Sequence, residues 1–166
     1  MTLRKEALYA CYQRLEKPLY NVLFRQLWQR EDCQDLIHDT FMRIWERQAG
    51  VNEETLDALV WTIALNLAKN RLRWRVLRKH EPIDEEAMQD FNASNDGGDF
   101  LAERRVREAL RKLPNAWREV LLLSEFSGMR GAEMAEVLGI PVGTIASRKH
   151  LALARLKEYL GEHFHA

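Results

Sequence analysis

Basic and aromatic side chains are concentrated near the middle of the chain. Every charged residue from Leu65 to His80 is basic, and these residues are Lys69, Arg71, Arg73, Arg75, Arg78 and Lys79. Trp61 precedes the cluster and Trp74 lies inside it. Cations that neutralise phosphates, combined with rings that stack on bases, indicate contact with an unpaired nucleic-acid strand. A core position is the alternative for the rings. For Trp61 the core and the strand are equally good assignments, whereas Trp74 is the better candidate for a strand contact.

A second candidate site is the stretch LGIPVGTIASRKH, residues 138–150. A short amphipathic helix from Gly131 to Leu138 precedes it, and Gly139 can adopt the left-handed conformation that ends a helix. The next helix has an inner stripe and a small, basic outer flank. The stripe is Ile145, Ala152, Leu156 and Leu160, with Leu153 beside it, and the flank is Thr144, Ser147, Arg148, Leu151 and Arg155. This is the pattern of a helix-turn-helix that enters the major groove of DNA. An ordinary helical hairpin in a core is the alternative.

The charge around this second site favours DNA. No acidic residue occurs between Val137 and Lys157, so no carboxylate opposes phosphate contacts there.

Metal chemistry has little support in the sequence. Cys11 and Cys33 form no Cys-x-x-Cys pair, and Cys33 lies five residues before His38. This spacing is not typical of a zinc site, which disfavours a metal-dependent enzyme as the third class considered. We expect no metal or cofactor and place both cysteines in the core as small buried residues. The remaining histidines are His80, His150, His163 and His165.

Helices must position these residues, because apolar side chains recur at spacings of three and four. The segment REDCQDLIHDTFMRIWERQ places Cys33, Leu36, Ile37, Thr40, Phe41, Ile44 and Trp45 on one face. A break at Gln48–Asn52 precedes a helix from about Thr55 to Arg78, and residues 1–27 are also helical in pattern. Four further helices follow Phe100, the first with a stripe of Leu101, Val106, Ala109, Leu110 and Leu113. No segment shows the alternation of a strand.

The net charge of zero conceals two opposed blocks. All charged residues from Glu81 to Phe100 are acidic, and the helical period fails there. A segment of low hydrophobicity and one charge sign is typical of a flexible linker. We therefore predict an all-α protein of two small helical domains, residues 1–80 and 101–166, joined by an acidic linker at 81–100. No secretory signal or membrane span is evident, so we expect a cytoplasmic protein with no membrane insertion.

Three motifs together resemble a known family. LPNAWREVLLLSEFSGMRGAEMAEVLGIPVGTIASRKHLALARL, residues 113–156, resembles region 4 of the extracytoplasmic-function (ECF) sigma factors, which are bacterial initiation subunits of RNA polymerase. REDCQDLIHDTFMRIW, residues 30–45, is similar to region 2.2 of that family. IALNLAKNRLRWR, residues 63–75, resembles its minus-10 reading region. The resemblance covers most of the chain and implies sigma regions 2 and 4 flanking the linker.

The resemblance also implies residue roles in the first domain. The outer face of the region 2.2 helix would dock on the largest polymerase subunit, and a solvated helix face is the alternative; its residues are Asp35, His38, Asp39, Met42 and Arg43. The loop from Gln48 to Thr55 would help to capture a flipped minus-10 base. The minus-10 residues would be Asn52, Trp61, Asn66, Lys69, Asn70, Arg73, Trp74 and Arg75.

In the second domain the resemblance implies minus-35 recognition, with Arg148 on a guanine edge or a nearby phosphate. The implied residues are Thr144, Ser147, Arg148, His150, Leu151 and Arg155. Ala146, Lys149 and Leu151 depart from the family pattern, so the minus-35 sequence does not follow from the resemblance.

The implied function is that of a non-enzymatic alternative sigma factor with core RNA polymerase and promoter DNA as partners. By the same resemblance, an anti-sigma protein is an expected regulator. The alternative is a two-domain helix-turn-helix regulator that does not act as a sigma subunit. Such a regulator needs neither the region 2.2 motif nor the basic helix from Asn66 to Lys79.

Overall fold

The computed structural model describes residues 2–78 and 100–164, and these residues are helical with no strand. Seven α-helices follow in order: α1 (Lys5–Leu27), α2 (Arg30–Glu46), α3 (Leu56–Leu77), α4 (Phe100–Lys112), α5 (Asn115–Phe126), α6 (Gly131–Leu138) and α7 (Val142–Phe164). Two single 3-10 turns, Gln48–Gly50 and Glu53–Thr55, connect α2 to α3. The all-α prediction is confirmed. The acidic linker lies outside the described residues, so the predicted domain limits stay predictions.

Helices α1, α2 and α3 form a three-helix unit in which each helix packs on the other two. The core includes Leu19, Val22, Leu23 and Phe24 of α1, Ile37, Phe41 and Ile44 of α2, and Val60, Ala64 and Leu65 of α3. These residues recur at helical spacing, so their burial removes one continuous apolar stripe of each helix from water. The two predicted boundaries of α3 agree with the structure to within one residue.

Both cysteines are buried in this unit, as the sequence predicts. The Cys11 thiol donates to Asp57 Oδ1 at 3.3 Å, and Arg14 contacts the same carboxylate oxygen at 2.6 Å. Burial, followed by the hydrogen bond to Asp57, raises the pKa of the Cys11 thiol to about 12. Cys11 is therefore a protonated core residue at neutral pH and lacks the thiolate that reacts with electrophiles.

Helices α4, α5 and α7 belong to a second unit, in which α7 packs on both α4 and α5. Its core combines Ala109, Leu110 and Leu113 of α4 with the consecutive residues 120–123 of α5 and with Ile145 and Ala152 of α7. Arg118 is also buried, and it donates to the Leu110 carbonyl at 3.3 Å and to Asn115 Oδ1. This places the guanidinium across the corner that Pro114 makes between α4 and α5.

The predicted stripes of α4 and α7 are wrong in part. Leu101 and Val106 are 57% and 39% exposed, because the buried apolar residues of α4 lie in its C-terminal half. Leu153 is 37% exposed, since the one-residue step from buried Ala152 turns it away from the core. The turn before α7 agrees with the sequence: Gly139 has φ +68° and ends α6 in the left-handed region.

Candidate functional site

The exposed half of α3 carries most of the predicted strand-binding residues. The last buried residue of this helix is Ala68, and the helix continues to Leu77. Asn66, Lys69, Asn70 and Arg73 are exposed, and Trp74 is 55% exposed. The Arg78 guanidinium lies 5.1 Å from the Trp74 ring centroid, within cation–π distance. This surface combines cations with a solvent-exposed indole, the side-chain types that bind an unpaired strand.

Trp61 does not belong to this surface. It is 1% exposed and is the largest fully buried side chain of the described residues. A base cannot stack on a ring that is enclosed by the core, so the prediction of a strand contact for Trp61 is wrong. Its contribution is to the packing of α3, the helix that carries the exposed residues.

The resemblance also assigns Arg75 to the minus-10 strand, but the structure engages its guanidinium within the chain. Its side chain is 18% exposed, and its Nη2 donates to Asp32 Oδ2 at 2.7 Å. Its Nη1 donates to the Leu27 carbonyl. Arg71 contacts the same carboxylate, with Nη2 at 2.8 Å from Asp32 Oδ1 and Nε at 3.2 Å from Oδ2. Asp32 thus engages two of the cations that the sequence assigns to phosphates.

Asn52 lies between the two 3-10 turns and is exposed. Its Oδ1 accepts the Glu54 backbone N–H at 3.0 Å and thereby caps the second turn. Next to it, Glu53 accepts from Arg4 Nε at 2.9 Å and Nη2 at 3.0 Å. The side-chain hydrogen bond from Arg4 lowers the pKa of Glu53. The loop is therefore held at Glu53 by Arg4 and at Glu54 by Asn52 itself.

The predicted docking face of α2 lies beside a cleft between α1 and α2. Asp35, His38, Met42 and Arg43 are exposed; Asp39 is half-buried and accepts from Arg43 Nε at 3.1 Å. The cleft has a volume of about 510 Å³. Its lining is Tyr12, Gln13, Glu16, Lys17 and Tyr20 of α1 with Gln34, Ile37 and His38 of α2.

The contribution of α1 to this cleft was missed from the sequence, because the motif is confined to α2. The Tyr12 ring meets the Phe41 ring edge-on at 5.2 Å, which joins the cleft wall to the core. The Tyr, Lys and Glu residues along α1 are the available signal in the sequence, but helix surfaces commonly carry such residues.

In the second unit, α7 begins directly after Pro141, whose carbonyl accepts the N–H groups of Thr144 and Ile145 at 3.0 and 3.1 Å. Ser147, His150 and Leu151 are exposed, and Thr144 and Arg148 are half-buried. The N-terminal half of the helix thus presents short side chains beside the Arg148 guanidinium. Short residues permit a close approach of the helix backbone to a duplex groove.

Arg155 is on the same flank but has internal partners. Its guanidinium lies 5.8 Å from the Trp117 ring centroid of α5, and Nε is 3.8 Å from Glu158 Oε2. A side-chain hydrogen bond with Tyr159 raises the pKa of Arg155. The Lys112 ammonium lies 5.3 Å from the Tyr159 ring. These contacts join α7 to both α4 and α5, so Arg155 helps to orient the helix whether or not it reaches DNA.

Residues 2–78 and 100–164 contain neither a candidate membrane span nor a candidate metal cluster. No helix in these ranges is both long and apolar enough to cross a bilayer. No group of three or more His, Cys, Asp or Glu side chains within them is arranged to hold a metal ion.

Family models match both units. Residues 11–77 match Sigma-70 region 2, and residues 103–156 match Sigma-70, region 4. The RNA polymerase sigma-E factor of Streptomyces antibioticus is 30% identical over 130 residues, which is 78% of this chain and 71% of that protein. The ECF RNA polymerase sigma factor SigE of Mycolicibacterium smegmatis is 27% identical over 149 residues. That match covers 87% of this chain and 58% of the relative.

Solved structures share the fold. CnrH, solved in complex with the cytosolic domain of CnrY, gives a TM-score of 0.73 at 24% identity and covers 96% of this chain and 90% of its own. The sigma factor RpoE of Bartonella quintana, crystallised with the anti-sigma factor NepR, gives 0.64 at 26% identity and covers 90% and 95%. With regions 2 and 4 both matched in order, this chain belongs to the ECF sigma factors of the sigma-70 family.

Proposed function

We propose that this chain binds core RNA polymerase as an alternative sigma factor and directs it to promoters through minus-10 and minus-35 elements. The observation that carries the proposal is the division of DNA-binding chemistry between two units. The first unit presents cations and an exposed indole on α3, and the C-terminal part of the chain carries α6, the Gly139 turn and α7 in the order of a helix-turn-helix. The α3 surface suits an unpaired strand, and the helix-turn-helix suits a duplex groove. A promoter with a melted element beside a double-stranded element requires both.

The minus-10 strand is assigned to Asn52 and to the exposed residues of α3. Trp74 stacks on a base, and Lys69 and Arg73 approach phosphates. Asn66 and Asn70 lie four residues apart on one face of the helix, where their amides can both donate to and accept from base edges. Asn52, in its capped loop before α3, is assigned to the same strand. Trp61 and Arg75 have no direct role.

The minus-35 element is assigned to the N-terminal half of α7, with Arg148 as the specificity residue. Thr144, Ser147, His150 and Leu151 surround it, and Arg155 approaches the phosphates from its position over Trp117. The Gly139 turn sets the angle at which α7 leaves α6, so it fixes which residues meet the groove.

Polymerase binding is assigned to the exposed face of α2, with residues Asp35, His38, Asp39, Met42 and Arg43. The adjoining cleft adds tyrosine side chains to the charged residues, which suits a partner helix with an apolar and polar face. An anti-sigma protein is a further proposed partner, because RpoE was solved with the anti-sigma factor NepR. We place the protein in the cytoplasm and assign it no enzymatic activity.

Reconstitution with core RNA polymerase tests the proposal. Holoenzyme should produce run-off transcripts from a subset of a randomised promoter library, and the selected promoters should share two separated elements. Failure to support promoter-specific transcription, by a chain that folds well, refutes the sigma function. Sequence-specific duplex binding without polymerase, combined with that failure, would instead identify a helix-turn-helix regulator.

A pair of charge reversals tests the polymerase face. Asp35→Arg on α2 should weaken core binding by about tenfold or more, since like charges or lost ion pairs at an interface are costly. Glu6→Arg reverses an equally exposed carboxylate in the first turn of α1 and should leave core affinity within twofold. Equal weakening by both changes would show that net charge, and not the α2 face, determines binding.

A further inference from the structure

Helix α3 extends beyond the core that supports it. Its buried residues are Leu56, Val60, Trp61, Ala64, Leu65 and Ala68. The nine residues from Lys69 to Leu77 make about 2.5 further turns. Val76 and Leu77, at their end, are 86% and 81% exposed. No residue of this segment is fully buried, and helical turns with little apolar packing are marginal in water, so the segment needs another source of stability.

Asp32, in the first turn of α2, supplies polar anchors to this segment. Its carboxylate, 14% exposed, accepts from both Arg71 and Arg75 at 2.7–3.2 Å. The two arginines are four residues apart and therefore share one face of α3. Arg75 also donates to the Leu27 carbonyl at the end of α1. Hydrogen bonds between charged groups that are mostly shielded from water are stronger than surface ion pairs.

Arg73 lies on the opposite side of α3 from these anchoring arginines. It is two residues from each anchoring arginine, which is about 200° around the helix axis. Trp74 is exposed on the neighbouring flank. The contacts to Asp32 therefore fix the rotation and the helicity of the segment that presents both residues.

We propose that Asp32 is a positioning residue for promoter recognition. It holds the last turns of α3 against the start of α2, so that Arg73 and Trp74 are preorganised for the minus-10 strand. This inference rests on the proposed function. Removing the carboxylate breaks these hydrogen bonds between α2 and α3, so we expect the end of the helix to fray.

Asp32→Asn in the full chain tests the anchor, with Glu31→Gln as the matched control. Glu31 is the exposed neighbour in the same helical turn, so both changes remove one negative charge from the start of α2. Hydrogen exchange should accelerate by about tenfold or more at the amides of residues 70–77 in Asp32→Asn. The amides of residues 60–65 should keep their rates. Glu31→Gln should change neither set.

Holoenzymes made with the same variants test the consequence. Affinity for a single-stranded minus-10 oligonucleotide should fall by about tenfold in Asp32→Asn, while affinity for core polymerase stays within twofold. Asp32→Glu keeps the charge and should recover part of the oligonucleotide affinity. Selective exchange at residues 70–77 together with this pattern supports the proposal.

Four results would overturn it. Unchanged exchange at residues 70–77 would show that Asp32 is no anchor. A uniform rise across all three helices, or an equal loss of core affinity, would show a general structural role. If wild-type holoenzyme binds no minus-10 oligonucleotide, the proposed function itself fails; selective exchange would then still reveal an anchor, but not one for promoter recognition.

Discussion

Replacing Trp74 with alanine tests the proposed strand-binding surface at its most exposed aromatic residue. The side chain is 55% exposed, so of the roughly 250 Å² of a tryptophan about 140 Å² is in water. One base covers about half of that area, about 70 Å², which at about 25 cal/mol per Å² is worth about 1.7 kcal/mol. This agrees with the roughly 1–3 kcal/mol measured per stacked base and predicts a loss of affinity of about 20-fold.

The assay is binding of holoenzyme to a fluorescent single-stranded minus-10 oligonucleotide, taken from promoters that the wild-type holoenzyme selects. Val76→Ala, which truncates an 86% exposed apolar neighbour, is the control and should change affinity by less than twofold. The free energy of unfolding should fall by less than about 2 kcal/mol in Trp74→Ala, since Trp74 lies beyond Ala68, the last buried residue of α3, and its ring is only partly covered. Unchanged oligonucleotide affinity in Trp74→Ala would refute the stacking role.

Further predictions separate core from surface. Trp61→Ala should destabilise the α1–α3 unit by about 3–5 kcal/mol in urea unfolding, because it empties the largest buried side-chain volume; a cost below about 1 kcal/mol would contradict that packing. Arg148→Ala should lower run-off transcription from minus-35-dependent promoters by about tenfold with core binding intact, and equal loss of both would refute its role. The pKa of Cys11 is raised from 9.0 to about 12. The stability that the protonated thiol contributes is therefore fully present below pH 9 and is lost as the pH rises towards 12. Cys11→Ala should flatten this loss, as measured by urea unfolding between pH 7 and 11; an unchanged slope would contradict it.

Local patterns predicted the helices well, and long-range contacts limited the prediction of the site. The spacing of apolar residues located α2 and α3, and the glycine at 139 located the turn before α7. The same pattern could not place Trp61, because α3 carries apolar residues on most of its circumference. The role of Arg75 is hidden from the sequence for a different reason: its partner Asp32 is 43 residues away, and no local pattern reveals such a pairing.

The pairing of two arginines with one aspartate also affects how strongly strand binding by α3 depends on salt concentration. Five basic residues from Lys69 to Arg78 suggest five displaced counterions on strand binding, with a slope of log affinity against log salt of about −3.5. Arg71 and Arg75 already face a carboxylate of the chain itself, so no more than three cations are available to release counterions. The expected slope is then no steeper than about −2, so strand binding is less sensitive to salt than the number of basic residues suggests.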